Sequence, residues 1–296
     1  MTLDYTEFVG EVRSRLSSRF SEDTHYEIRT IIKNNDSKLD GLIISRDGDT
    51  VSPTLYLESY FSDYKAGLSV DDICDNIIGT YESNRIKDDF DPAFFSDFEQ
   101  VSSQITYRLI NASMNEELLS DVPHIPYHDL AITFCVSVDI NDDISGSILI
   151  HDNHMKIWGV GVRDLMKCAE VNTAKLYPPE VISMAEALKE YISDVEEQML
   201  ECCPMTVLSN RERSYGASVI LYPGLLQDLG EVFEEDYYIL PSSIHELILL
   251  PASYVSEPDA LKNIIGDVNT HAVPRQSLLS DHAYLYKRAD NCIISQ

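Results

Sequence analysis

The chain has 296 residues and an apolar fraction of 44%, enough for a packed core and too much for a disordered chain. Its 50 acidic and 22 basic residues give a formal charge of −28, which repels phosphate backbones and anionic lipid and so argues against nucleic-acid and membrane partners. No run approaches the roughly 18 consecutive apolar residues that a membrane helix needs.

The first segment reads as an amphipathic helix, with Tyr5, Phe8, Val9, Val12, Leu16 and Phe20 at helical spacing. Three strands are predicted next, over His25–Lys33, Leu39–Ser45 and Val51–Glu58. Asn34-Asn35-Asp36 and Asp47-Gly48-Asp49 between them read as hairpin turns. Ser69 caps a helix whose inward face is Val70, Ile73, Ile77, Ile78 and Tyr81. This α-β-β-β-α order is also that of double-stranded-RNA-binding domains, but those present basic residues to RNA and this chain is acidic. Over residues 86–104 the phenylalanines Phe90, Phe94, Phe95 and Phe98 predict a helix packed on the first unit, with a partner-binding stripe as the alternative.

The second half opens near Pro123–Pro126. Leu130–Asp139 reads as a strand buried on both faces, followed by a turn at Asn141-Asp142-Asp143 and Ser145-Gly146 and a return strand over Ser147–Ile150. A helix is expected over about Val162–Lys175. After Pro178-Pro179 a longer one runs to about Met199 on Val181, Met184, Leu188, Ile192 and Val195. Then come strand Ala217–Leu221, helix Leu225–Phe233, strands Tyr237–Leu240 and Glu246–Leu250, a helix opened by Glu257-Pro258-Asp259 with Leu261, Ile264, Ile265 and Val268 inward, and a hairpin over Ala283–Ser295. The expected fold is α+β with mixed or antiparallel sheets: an N-terminal α-β-β-β-α unit with its aromatic helix over 1–120, and a larger α/β module over 121–296.

The charge does not mark a tail, since residues 1–120 hold 23 acids and 11 bases and residues 121–296 hold 27 and 11. A dispersed acidic surface favours solubility and suits a basic partner. The six cysteines form no CxxC pair or regular framework, which points to reduced thiols in a cytoplasmic protein. The N-terminus Met1-Thr2-Leu3-Asp4-Tyr5 lacks a basic region followed by an apolar one, so no export signal is expected.

Two constellations could carry chemistry. In Leu240-Pro241-Ser242-Ser243-Ile244-His245-Glu246, an extended backbone would put Ser243 and His245 on one face and Glu246 on the other. A serine beside a histidine suggests a nucleophile and base. However, neighbours on one strand project in parallel, a third residue must orient the imidazole, and no GxSxG elbow is present. A turn whose hydroxyls satisfy backbone groups is the competing explanation. His-Glu here is not the HExxH of zinc peptidases, because position 249 is Leu. The second constellation, among His124, His128, His151 and His154, centres on His151-Asp152-Asn153-His154, which could ligate a divalent metal or simply form a polar loop. There is no calcium loop, Walker loop or GxGxxG, so no cofactor is expected.

Residues 120–290 carry a further pattern: Asp129-Leu130-Ala131-Ile132, Ser147-Ile148-Leu149-Ile150 with Trp158-Gly159-Val160, Asn172-Thr173, Tyr215-Gly216-Ala217 through Leu221-Tyr222-Pro223, Tyr238 through Glu246, Val268-Asn269 and Leu279-Ser280-Asp281. In order and spacing this resembles an uncharacterised family of clostridial proteins classed as a domain of unknown function. It is similar, more distantly, to the YtpQ-type bacterial proteins. The resemblance weakens before residue 120. It implies a bacterial cytosolic protein with a shared α+β core, and it carries over no catalytic residues.

The leading expectation is a non-catalytic binding or adaptor protein that meets a protein partner. A hydrolase using Ser243 and His245 is the first alternative, and metal binding at His151 and His154 the second. The oligomeric state is left open.

Overall fold

A computed structural model describes residues 2–47, 52–84, 92–141, 144–189 and 203–295. Phe90, Asp142, Asp143, Ile192, Val195 and Cys202 lie outside the described residues, as does the expected helix beyond residue 189. The fold is α+β, and the described strand pairings are all antiparallel. The chain divides into two compact units, one of residues Met1–Lys33, Ser37–Gln100 and Asp139–Gly146, the other of Asn34–Asp36, Val101–Val138 and Ser147–Gln296.

In the first unit, α1 (Tyr5–Ser17) starts at Asp4, whose carboxylate accepts the Glu7 amide while Glu7 reaches back to the Asp4 amide. Strands β1 (Thr24–Lys33), β2 (Ser37–Arg46) and β3 (Thr54–Tyr56) form a sheet in that order. The third strand is shorter than expected, because the chain turns at Tyr56 into an additional helix, α2 (Leu57–Lys65), followed by α3 (Val70–Asn84). Phe8, Val12 and Leu16 of α1 meet Leu42 and Ile44 of β2 and Ile73, Ile77 and Tyr81 of α3 in a core sealed from solvent. Fully burying each such side chain contributes roughly 1.5–3 kcal/mol. Residues 92–101 are two short pieces, a 3-10 turn over Pro92–Ser96 and α4 (Phe98–Val101), rather than the continuous helix expected.

The second unit holds two sheets. In the first, β4 (Ile105–Asn111), β5 (His124–Tyr127) and β6 (Leu130–Asn141) lie in the order β4-β6-β5, and β7 (Ile144–Leu149) also pairs with β6. Strands β4 and β5 are absent from the sequence reading. Between them lies the single turn α5 (Glu116–Leu119), whose Glu117 and Leu118 amides are accepted by Asp36. The histidine segment expected as a polar loop is a helix, α6 (Asp152–Trp158), ended by Gly159 in the left-handed region. Then α7 (Val162–Leu176) buries Leu165, Ala169 and Thr173, one face at a spacing of four. Thr173 Oγ1 accepts the Tyr107 amide at 3.1 Å, tying this helix to β4.

The other sheet runs β13-β12-β10-β11-β9-β8. Its first strand in the chain is β8 (Pro179–Ser183), where the sequence suggested a helix. Pro179 is tolerated as the first residue of an edge strand, and only the short α8 (Met184–Leu188) follows before residue 190. Next is β9 (Thr206–Asn210), then a 3-10 turn over Gly216–Leu221 in place of the expected strand. Helix α9 (Leu225–Phe233) has the expected bounds. The remaining strands are β10 (Tyr237–Pro241), β11 (Leu247–Pro251), β12 (Tyr284–Lys287) and β13 (Cys292–Ser295), with α10 (Pro258–His271) between the last two pairs. Leu261 and Ile265 of α10 pack on Tyr238, Ala283 and Leu285.

Candidate functional site

The segment after β10 does not continue as a strand. Ile244 donates to Ser277 O and Ser243 to Glu246 O, and these bonds fold 242–246 into a turn. Ser243 Oγ accepts the His245 amide at 3.0 Å, and Ser242 Oγ donates to Glu246 Oε1 at 3.3 Å. Among the described residues no hydrogen bond joins Ser243 Oγ to the His245 imidazole. The ring is turned instead toward the loop after β9, where the Tyr215 amide donates to His245 Nδ1 at 3.3 Å. That contact assigns the ring proton to Nε2. Burial lowers the pKa of His245 below its ordinary value, opposed by the backbone of Arg213 and the charge of Glu246 and assisted by Arg108.

The loop facing His245 is tightly held. Asn210 is 2% exposed, and its side-chain amide clamps Ser214 at both ends, accepting from its N–H and donating to its carbonyl. Arg213 and Tyr215 both occupy the left-handed region, with φ of 48° and 49°, a conformation that costs a non-glycine residue of order 1 kcal/mol or more. Gly216 follows in a space that admits no side chain. A Cβ there would lie 2.3 Å from His245 O and 2.8 Å from the Asn210 amide nitrogen. Held this way, the Tyr215 ring has its centroid 5.7 Å from that of His245, and the Arg108 guanidinium lies over the same ring at 3.8 Å.

His151 and His154 do come together, on the first turn of α6, with ring centroids 5.7 Å apart. Their nitrogens have other tasks. His151 Nδ1 meets Asp121 Oδ2 at 2.9 Å, and His154 Nδ1 accepts the His151 amide. Burial, with His151 beside it, lowers the pKa of His154. Among the described residues no three His, Cys, Asp or Glu side chains are grouped to hold a metal ion. Phe94, Phe95 and Phe98 are half-buried. Cys74, Cys135, Cys168, Cys203 and Cys292 are free thiols, and burial raises the pKa of the first three.

A different surface is open. Along α10, Leu261 and Ile265 point inward, while Ile264 and Val268 stand 55% and 41% exposed. On another flank of the helix lies an open hollow of about 560 Å³ lined by Lys262, Asn263, Gly266, Asp267, Thr270 and Asp281. A second hollow of about 270 Å³ adjoins it at Lys262 and is lined by Pro258, Asp259 and Ala283. The sequence reading assigned the α10 region only its inward face. Of the four residues it placed inward, Leu261, Ile264, Ile265 and Val268, only Leu261 and Ile265 are buried, because Ile264 and Val268 lie off that stripe and face solvent. Arg108 was also missed, although it is the single charge in the run Ile105–Asn111.

No helix among the described residues is long and apolar enough to cross a membrane. No curated protein matches the chain, and no solved structure matches it. The model of one family of unknown function, DUF5688, matches residues 5–288, nearly the whole chain rather than the second half alone, and the chain belongs to that family.

Proposed function

We propose that the protein is a non-catalytic binding protein of the bacterial cytoplasm, and that the outer face of α10 docks a protein partner carrying basic and apolar side chains. The observation that carries this reading is the solvent-facing surface of α10, with Ile264 and Val268 exposed on one flank and, on another, a hollow lined by Lys262, Asp267 and Asp281. An exposed apolar pair supplies burial energy once covered. Acidic rims select a basic partner, and a net charge of −28 speeds its approach. The partner best suited is an amphipathic helix with lysines flanking an apolar stripe, laid along the outer face of α10.

The hydrolase alternative has weaker support. It needs Ser243 Oγ on the His245 imidazole, whereas that oxygen accepts a backbone amide and the imidazole Nδ1 accepts another.

Calorimetric titration with a synthetic Lys/Leu amphipathic helix tests the proposal. Binding should weaken at least about tenfold in Asp267→Lys/Asp281→Lys, in line with loss of two rim attractions. It should also weaken in Ile264→Ser/Val268→Ser. Equal binding by wild type and both variants, or equal binding of a peptide with glutamates for lysines, would overturn it.

A further inference from the structure

We propose that Arg108, seated on Tyr215 and steadied by Ser147, binds the carboxylate of a small ligand. Arg108 is the one residue of β4 that is not fully buried. Its Nη2 donates to Ser147 Oγ. Among the described residues Nε and Nη1 meet no acceptor, and no carboxylate pairs with this arginine. A guanidinium with no counter-ion is notable on a chain where acids outnumber bases by more than two to one.

The geometry points to a planar oxyanion. Tyr215 covers one face of the guanidinium at 3.8 Å, which leaves the in-plane donors of the free edge for a ligand. A carboxylate matches two such parallel N–H groups. Tyr215 is kept in place at a cost, by its left-handed backbone, the Asn210 clamp on Ser214 and the bond to His245. Strain maintained this way is a mark of a positioned side chain. The register adds polar neighbours on the same sheet face. Arg108 lies directly across from Thr133, and Thr133 directly across from His124. Ser147 is exposed, so the row opens to solvent at that end.

Charge favours a carboxylate over a phosphate. Arg108 is the single fixed cation of the group, and burial keeps the nearby His245 neutral at pH 7. One positive charge balances a monoanion and leaves a dianion half-compensated within a strongly negative protein.

The test uses the full-length ¹⁵N-labelled protein and follows the Arg108 Nε–Hε resonance during separate titrations with sodium acetate, sodium phosphate and sodium chloride at matched ionic strength. Acetate should give a saturable shift of that resonance, with at most a linear drift from the other two salts. Arg108→Lys, which keeps the charge and loses the fork, should weaken acetate binding at least about tenfold, read from the Tyr215 amide, while unfolding at the wild-type temperature. Equal, non-saturating shifts with acetate and chloride would overturn the proposal, as would tighter binding of phosphate. So would a folded Arg108→Lys protein that binds acetate as well as wild type.

Discussion

The Tyr284 hydroxyl donates to Asp129 Oδ1 at 2.6 Å. Ser280 Oγ donates to the other carboxylate oxygen, also at 2.6 Å. Asp129 sits in the turn between β5 and β6, and Tyr284 opens β12, so this single carboxylate fastens the two sheets of the second unit together. Tyr284 is 2% exposed, and Ser280 3%. Tyr284→Phe removes one hydrogen bond to a charged group at no cost in shape. It should lower stability by about 1.5–3 kcal/mol, read as a shifted urea midpoint with an unchanged denaturant slope. An unchanged midpoint would show that the bond contributes nothing net.

Gly216→Ala should be more damaging than any polar deletion. The new Cβ would meet backbone atoms of His245 and Asn210, which cannot swing aside as a flexible side chain would. A loss of at least about 3 kcal/mol is expected, measured by chemical unfolding, together with loss of the Tyr215–His245 contact in NMR spectra.

Asn115 is fully buried. Its Oδ1 accepts the Asn35 amide at 2.6 Å, and its Nδ2 donates to Asn35 Oδ1 and Asn111 O. Asn115→Ala strands the Asn35 amide, which sits in a left-handed turn with φ of 60°. Destabilisation of about 2 kcal/mol or more should follow, whereas Asn111→Asp, whose ionised carboxylate cannot donate to Leu279 O, should show a loss that grows with pH as the carboxylate ionises.

His245 makes the fold sensitive to acid. Unfolded, its imidazole takes up a proton near its ordinary value of 6.5; folded, it does so at lower pH. Between those values the unfolded chain binds more protons, so this contribution is fully present above pH 6.5 and is lost as pH falls toward the folded-state midpoint. His154 acts with the same sign. His245→Asn should therefore lose less stability than wild type between about pH 7 and pH 5. Equal acid sensitivity would place the effect elsewhere, and an NMR titration of the His245 ring above 6.5 would contradict the assignment directly.

The parts of the fold legible in the sequence were those with a strong local period and clear ends. Phe8, Val12 and Leu16 announced α1, and Pro223-Gly224 before an apolar run announced α9. Where period and pairing disagreed, pairing won. Val181 and Met184 have helical spacing, yet Val181 pairs with Leu208 across β8 and β9. Val219 and Ile220 look like strand residues, but five consecutive buried positions in Gly216–Leu221 leave no exposed face to reveal a period. Strand β4 was missed because its run follows the phenylalanines of 94–98 without a turn signal. Near the candidate sites, the sequence displayed Ser243, His245 and Glu246 but not the loop that turns the imidazole toward Tyr215. That contact spans 30 residues and depends on Gly216 fitting where no side chain can. Arg108 needed the sheet register before its neighbours could be named.

The central claim is that α10 is a docking face, and a chemical-shift map tests it most directly. The labelled protein is titrated with the Lys/Leu amphipathic peptide, first in low salt and then in about 0.5 M salt, where charge attraction is largely screened. Perturbations should be greatest along residues 258–271 and at Asp281, and the affinity should drop at high salt while the mapped surface stays the same. Perturbations that leave residues 258–271 untouched, or that scatter evenly over the acidic surface and vanish in salt, would contradict the account.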